Sequence, residues 1–430
     1  MTPTIEQASL EEITHFQDEK LRDVLNYLNT HSKYYKRLFQ QEGIDLQQIR
    51  GVQDLPLLPT TSKEQLQQFN GDFLCVPEEE IIDFSTTSGT LGTPVVFGLT
   101  DADLDRLAYN EMISFQRVGI EKGDRVQIMT TLDRRFMAGL AYFLGLRKMG
   151  AGILRIGAGI PQMQWDSIQQ FKPKFLVVVP SFLLKMIAYA EEHNIDYNNS
   201  SVKVAICIGE NLRTAELQDN QLAKRIQEKW NIALYSTYAS TEMSSAFTEC
   251  EAFAGGHQHP ALIITEILDH NNKPIPDGQL GELVVTTLGI EAMPLLRYKT
   301  GDMVRRHAAP CVCGRNSYRI GPVEGRKQHM IKYKGTTLYP PAMFDVLANY
   351  KEIEHYQIEI SSTAIGTDDI KILIASKQQN NRLLKEIKDS FQAKLRVIPN
   401  VEFEKEEILI NKIYNPLSRK PIYLVDKREH

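Results

Sequence analysis

The chain has 430 residues, 42% of them hydrophobic and 24% charged, with a formal net charge of −5 at pH 7. That length supports two or three domains with a large buried core, and the composition is that of an ordinary soluble globular protein. The acidic balance argues against nucleic acid or an anionic membrane as partner, and no apolar run approaches the ~20 residues of a membrane helix.

Residues 10–50 read as helices, because Leu21, Val24, Leu25 and Leu28 recur at helical spacing. Pro56, Pro59 and Thr60-Thr-Ser62 mark a loop and the cap of a short helix. The stretch Phe84-Ser-Thr-Thr-Ser-Gly-Thr-Leu-Gly-Thr-Pro94 combines glycines with many hydroxyls, and freed amides beside hydroxyl donors suit a polyphosphate. It is not a Walker A loop, because Thr93 follows Gly92 where Lys is required; a polar turn between strands is the alternative. Residues 101–118 read as a helix. Strands at Val126–Met129, Gly152–Ile156, Phe175–Val179 and Val202–Ile208 then alternate with helices at 136–148 and 181–193. Such alternation with apolar strands predicts an α/β fold with a parallel-rich sheet covered on both faces. From about 260 to 326, strands such as Ala261–Leu268 and Gly281–Thr287 follow one another through turns, which predicts a β-rich subdomain packed against the sheet. After Gly325-Arg326, strands at His355–Ile360, Asp369–Ala375 and Val401–Glu404 with a helix over 380–395 predict a small α+β domain. The expected division is therefore 1–326 and 327–430.

Three further stretches invite chemistry. Ile206-Cys-Ile-Gly-Glu210 ends a buried strand in Gly-Glu, and ligands of open α/β sheets bind at such carboxyl ends. Tyr235-Ser-Thr-Tyr-Ala-Ser-Thr-Glu242 leads hydroxyls to an acid that could hold Mg²⁺. Leu296-Arg-Tyr-Lys-Thr-Gly-Asp302 offers a carboxylate to vicinal hydroxyls such as those of ribose. Each by itself also reads as a polar turn.

In this order, and with a later Gly-Arg pair, the stretches resemble the adenylate-forming superfamily of acyl-CoA synthetases and adenylation domains, and within it the phenylacetate–CoA ligase branch. The resemblance spans essentially the whole chain; Tyr298–Asp302 is its most specific single match. It implies that Ser88, Gly89, Thr90 and Gly92 hold the β- and γ-phosphates of ATP, and that Gly209 and Glu210 lie against adenine. It further implies nucleotide contacts from Tyr238, Ala239 and Ser240, an α-phosphate contact from Thr241, Mg²⁺ on Glu242, and ribose on Asp302 helped by Arg326. Gln328 takes the position of the hinge about which a mobile C-terminal domain would turn. Lys420, six residues before Asp426, takes that of the catalytic lysine. The implied reaction activates an aryl carboxylic acid, phenylacetate by default, as acyl-AMP and transfers it to coenzyme A. Loading of a carrier-protein phosphopantetheine, and nucleotide binding without ligase activity, are the alternatives. A cytoplasmic enzyme, with a homodimer as candidate assembly, is expected; the polar, acidic Met1–Gln7 is unlike a secretory signal.

Cys250, His257, Cys311 and Cys313 form a second candidate site, with His259 an alternative to His257. Cys and His suit Zn²⁺, and four protein ligands mean a structural ion. The tight Cys-x-Cys spacing also fits reduced thiols that are merely neighbours. Cys75 and Cys207 lie in apolar contexts and read as core. Finally, Thr130-Thr-Leu-Asp-Arg-Arg-Phe-Met-Ala-Gly139 falls where the resemblance puts the acyl pocket. Arg134 and Arg135 there suggest a polar or anionic acid, or an exposed surface pair.

Overall fold

Phe175-Leu-Val-Val178 is apolar at every position because both of its faces are covered. Phe175 and Val177 pack into one core layer, Leu176 and Val178 into another. The protein is described here from a computed structural model covering residues 4–87, 94–333, 336–362, 368–414 and 421–428. Two compact units are present: Met1–Thr300 with Val304–Pro322, and Gly301–Met303 with Val323–His430.

The first unit opens with helices α1 (Leu10–His31), α2 (Lys33–Gln41) and α3 (Lys63–Gln68). Ser9 caps α1 in a reciprocal box with Glu12, and Ser62 caps α3 in the same way with Gln65, each pair satisfying two otherwise orphaned N–H groups. Strands β1 (Asp83–Thr86) and β2 (Val96–Leu99) pair antiparallel around the Ser/Thr/Gly stretch. Helix α4 (Asp101–Arg117) follows. Then come β3 (Arg125–Ile128), α5 (Met137–Met149), β4 (Gly152–Arg155), α6 (Pro161–Phe171), β5 (Phe175–Val178), α7 (Pro180–Glu192), β6 (Val204–Cys207), α8 (Gln221–Gln227) and β7 (Ala233–Ser240).

Neighbours in the order β4-β3-β5-β6-β7 are parallel. Phe115 of α4 and Tyr142 and Leu146 of α5 cover one face; Trp165, Ile168, Leu183, Met186, Ala223 and Ile226 of α6, α7 and α8 cover the other. Both faces are buried, so the strands are apolar throughout.

The strands that follow are β8 (Ser245–Thr248), β9 (Gly256–His257), β10 (Ile263–Leu268), β11 (Leu280–Thr287), β12 (Tyr298–His307) and β13 (Arg319–Ile320). They make up a β-rich part of this unit and join the parallel strands edge to edge. The hydrogen-bonded path runs β10-β11-β12-β13-β9-β8-β7 and on into the parallel strands. The physical reason is the β7–β8 hairpin: its reversal lets antiparallel strands grow from the free edge of β7.

In the second unit, β14 (Gly325–Arg326) pairs antiparallel with Asp302 and Met303 of β12. That pairing takes Asp302, Gly325 and Arg326 into this unit, whereas the sequence reading drew the division after residue 326. The hairpin β15 (Ile331–Tyr333) and β16 (Thr336–Leu338) leads to α9 (Pro340–Leu347). A four-stranded sheet, ordered β19-β18-β17-β20, contains β17 (Ile353–Ser362), β18 (Asp368–Ser376), β19 (Asn400–Phe403) and β20 (Leu424–Asp426). On one face Ile358, Ile360, Ile370 and Ile372 meet Leu383, Ile387 and Phe391 of α10 (Asn381–Leu395); on the other, Leu373 and Ala375 meet Leu409 and Ile413 of α11 (Glu406–Ile413). Among the described residues no helix is long and apolar enough to cross a membrane.

Candidate active site and metal centre

In the order β7-β6-β5-β3-β4, the connection from β3 to β4 runs outward over the α5 face. The connection from β4 to β5 returns past β3 over the α6 face. The direction of winding therefore switches between β3 and β5, which opens a crevice at their carboxyl ends where ligands of open α/β sheets bind. The loops after β3, β5, β6 and β7 all leave from this edge.

After β6, Gly209 has φ +78, a conformation that favours glycine, and a Cβ there would meet nothing within 4 Å. Glu210 reaches across to α7. Its carboxylate accepts from the Ser181 N–H and from the Ser181 hydroxyl, both at 2.9 Å. Helix α7 has Pro180 in its first turn and no side-chain cap on Val179. The Glu210 carboxylate supplies that cap, where the helix dipole favours a negative charge.

After β7, residues Thr241–Ser244 form the turn to β8. Tyr238 lies opposite Phe247 with rings stacked at 5.8 Å, and Ser240 accepts the Met243 N–H at 3.3 Å. Glu242 is half-buried, and among the described residues no protein group engages its carboxylate. The turn is held from α4. The buried Arg106 guanidinium donates to the carbonyls of Ser244 (2.7 Å), Leu262 (2.6 Å) and Leu288 (2.6 Å), and to the Ser245 hydroxyl (3.3 Å). Burial pushes its pKa down to about 10, so it remains a cation. One turn earlier, Asp103 accepts the N–H groups of Glu291 (2.8 Å) and Ala292 (3.0 Å).

After β3, Arg134 (φ 59) and Arg135 (φ 56) are consecutive left-handed residues in a turn closed by Phe136 N–H to Asp133 carbonyl at 3.2 Å. Asn and Gly normally fill such positions, and for other residues the conformation costs roughly 1–2 kcal/mol each. Both side chains are exposed.

In the second unit, Arg326 Nε donates to Asp302 Oδ1 at 3.2 Å. Gly325 is required by packing, since a Cβ would lie 2.2 Å from the Tyr339 ring. Gln328 sits in a single 3₁₀ turn, its carbonyl accepting from Arg428 Nη2 at 3.3 Å. Ser88, Gly89, Thr90, Gly92, Thr93 and Lys420 lie outside the described residues.

The cysteine cluster is assembled from three places: Cys250 after β8, His257 in β9, and Cys311 and Cys313 between β12 and β13. Their ligand atoms all lie within 4.8 Å of one another. Cys250 Sγ and Cys311 Sγ are 3.6 Å apart, and Cys313 Sγ and His257 Nε2 3.5 Å. Two thiolates ~2.3 Å from a tetrahedral Zn²⁺ stand about 3.8 Å apart, so the donor set fits that ion. His257 Nδ1 is 3.2 Å from the Ser317 hydroxyl, which orients the ring and leaves Nε2 toward the thiols.

His259 stands outside this cluster. Its Nδ1 lies 3.2 Å from Glu6 and 3.0 Å from Arg117, and its Nε2 3.0 Å from the Ser114 hydroxyl. Alternation within a strand would put residues two apart on one face, but β9 ends at His257, and the chain beyond it carries His259 into other surroundings. Cys75 and Cys207 are buried, as expected.

A family model described as AMP-binding enzyme matches residues 37–291. The chain belongs to the AMP-binding enzyme family. Its similarity to the phenylacetate–coenzyme A ligase of Thermus thermophilus is 30% identity over 83% of this chain and 80% of the relative. A ligase of the same name from Aromatoleum evansii is 28% identical over 97% of both chains. A solved 2-hydroxyisobutyryl-CoA ligase in complex with R3-HIB-AMP superposes with a TM-score of 0.85 at 23% identity, covering 99% of this chain and 92% of that one. At that identity the superposition speaks for the fold. The relatives set this AMP-binding enzyme in the phenylacetate–CoA ligase branch of the adenylate-forming superfamily, among AMP-forming acid–thiol ligases.

Arg106, Ser181, Ser317 and Tyr339 escaped the sequence reading. Of the supporting residues only Asp103 carried a local signal, as the partner of Thr100 in a capping box.

Proposed function

We propose that this enzyme activates an aryl carboxylic acid, phenylacetate or a close analogue, with ATP as acyl-AMP and transfers the acyl group to coenzyme A. The reading is carried by the arrival of Gly209-Glu210 and Tyr238–Glu242 at the carboxyl ends of the adjacent parallel strands β6 and β7, in a chain of the AMP-binding family. The acid's carboxylate attacks the α-phosphorus and pyrophosphate leaves. The thiol then attacks the acyl carbonyl and AMP leaves. The protein supplies no covalent nucleophile; it positions the reactants and stabilises charge.

In this reading the Gly209-Glu210 peptide and Tyr238, Ala239 and Ser240 border the base, while Thr241 donates to the α-phosphate. Glu242 would hold Mg²⁺, which neutralises charge on the phosphates. Asp302, oriented by Arg326, accepts from the ribose hydroxyls. Ser88, Gly89, Thr90 and Gly92 hold the β- and γ-phosphates. Lys420 stabilises the charge that develops during adenylation, and the second unit turns at Gln328 between the half-reactions. Cys250, His257, Cys311 and Cys313 would hold a structural Zn²⁺ with no open coordination position.

Substrate-dependent ATP–pyrophosphate exchange, run over a panel of carboxylic acids, tests the class and the acid together. Exchange with arylacetates, followed by thioester formation on adding free CoA, is expected. Exchange with no acid overturns the reading; thioester formation on a carrier protein alone overturns the choice of acceptor.

A further inference from the structure

Strands β5 and β6 run parallel, and their ladder continues one step beyond β6, with the Ile208 N–H donating to the Val178 carbonyl at 3.0 Å. The next residue, Gly209, is exposed and left-handed, and a Cβ added to it would meet nothing within 4 Å. Packing therefore does not steer this peptide, and glycine has the most permissive backbone of any residue.

The chain beyond Glu210 is tied down. Asn220 gives its N–H to the Leu212 carbonyl at 2.9 Å and its Nδ2 to the Asn211 carbonyl at 2.8 Å. The buried Arg213 donates from Nε and Nη2 to the two carboxylate oxygens of Glu249, at 3.0 and 2.9 Å, and from Nη2 to the Leu234 carbonyl at 2.8 Å. Glu210 therefore joins a permissive glycine to a fixed stretch, and the orientation of the Gly209–Glu210 peptide depends on where its side chain is held. Ser181 holds one carboxylate oxygen through its N–H and the other through its hydroxyl. With both oxygens bound, the carboxylate cannot swing about a single hydrogen bond.

We infer that Ser181 is a positioning residue for the nucleotide: its hydroxyl, acting through the Glu210 carboxylate, fixes the Gly209–Glu210 peptide on which the adenine base rests. The inference rests on the ligase reading and extends it to the connection between β5 and α7, which none of the nucleotide motifs includes. The ribose separates the base from the reacting α-phosphorus, so the base is held alike in the bound substrate and in the transition state. Loss of such a uniform contact raises KM and leaves kcat in place.

ATP–pyrophosphate exchange by the full chain, with the best acid of the panel, tests this in Ser181→Ala. KM for ATP is expected to rise about tenfold, the size of one hydrogen bond to a charged group, while kcat and KM for the acid hold. Ser181→Thr keeps the hydroxyl and should bring KM for ATP back. The Glu210 carboxylate still accepts the N–H of residue 181, so the melting temperature of Ser181→Ala should stay within a few degrees of the parent's. The double variant Ser181→Ala/Glu210→Ala should use ATP no worse than Glu210→Ala alone, because Ser181 acts through that carboxylate.

An unchanged KM for ATP in Ser181→Ala overturns the inference, and together with a lowered melting temperature it makes the hydroxyl a helix cap alone. A fall in kcat at constant KM overturns it as well, and so do losses that add in the double variant. If no acid supports exchange, the ligase reading fails first, and calorimetry with AMP decides the positioning role. Binding weakened about tenfold by Ser181→Ala and restored by Ser181→Thr supports it. Equal binding by parent and Ser181→Ala, or none by the parent, overturns it.

Discussion

The Arg106 guanidinium donates to the carbonyl of Ser244 across 2.7 Å, joining helix α4 to the turn that carries Thr241 and Glu242. Arg106 also satisfies the Leu262 and Leu288 carbonyls, so one buried side chain fixes the hairpin and two segments beyond it. Arg106→Gln is expected to leave at least two of these acceptors unpaired, at about 1–3 kcal/mol each. Urea denaturation should show that loss, and KM for ATP in the exchange assay should rise as the turn loosens. An unchanged denaturation midpoint would mean that the turn holds itself.

The Gly325–Tyr339 contact offers a test by compensation. Gly325→Ala puts a methyl 2.2 Å from the Tyr339 ring and should displace the strand that presents Arg326 to Asp302. Activity is expected to fall about tenfold or more, as small misplacements at a reacting centre cost that much. Adding Tyr339→Ala should recover part of it, a coupling that a double-mutant cycle measures directly.

The two histidines of β9 and its flank make opposite predictions about metal. Protein purified without chelator should carry close to one equivalent of zinc per chain. His257→Ala should lower that content sharply, whereas His259→Ala should keep it, because His259 faces Glu6 and Arg117. Equal metal loss in both variants would place the ion elsewhere.

Glu111 of α4 should make stability depend on pH. It is buried, accepts from Asn110 Nδ2 at 2.9 Å, and burial pushes its carboxyl up to about 8 from an ordinary 4.5. A raised folded pKa means that the folded chain holds this proton more tightly than the unfolded chain does. Its contribution is therefore complete below pH 4.5 and is lost as pH rises toward 8. Glu111→Gln keeps the Asn110 contact and removes the titration. The melting temperature of the variant should fall less than the parent's over that window, and at pH 8 the variant should be the more stable by a few kcal/mol. Parallel pH profiles would show that Glu111 is solvated.

Lys420 separates the two half-reactions. Lys420→Ala is expected to abolish exchange while leaving thioester formation from a supplied acyl-adenylate largely intact. Equal loss of both in a folded variant would assign the lysine a different role.

Local pattern carried much of this protein. Periodicity 3.6 placed α1, apolar runs placed β5 and β6, and the strand–helix alternation gave the covered parallel sheet, because these signals are properties of neighbouring residues. The glycine at 209 was legible for the same reason: a left-handed residue at a strand end leaves its mark in the residue itself. The choice between His257 and His259 was not legible, since two histidines at spacing two differ only in what distant segments bring to each. Nor was the course of the β-rich stretch, which depends on which strand edge is left free after β7 turns back. Arg106 and Tyr339 act through partners 138 and 14 residues away in the chain, where no local pattern reaches. Sequence alone thus determined the elements, the family and the order of the chemical motifs. The tertiary structure decided which side chains support them, because burial and hydrogen bonding between remote segments exist only once the sheet has formed.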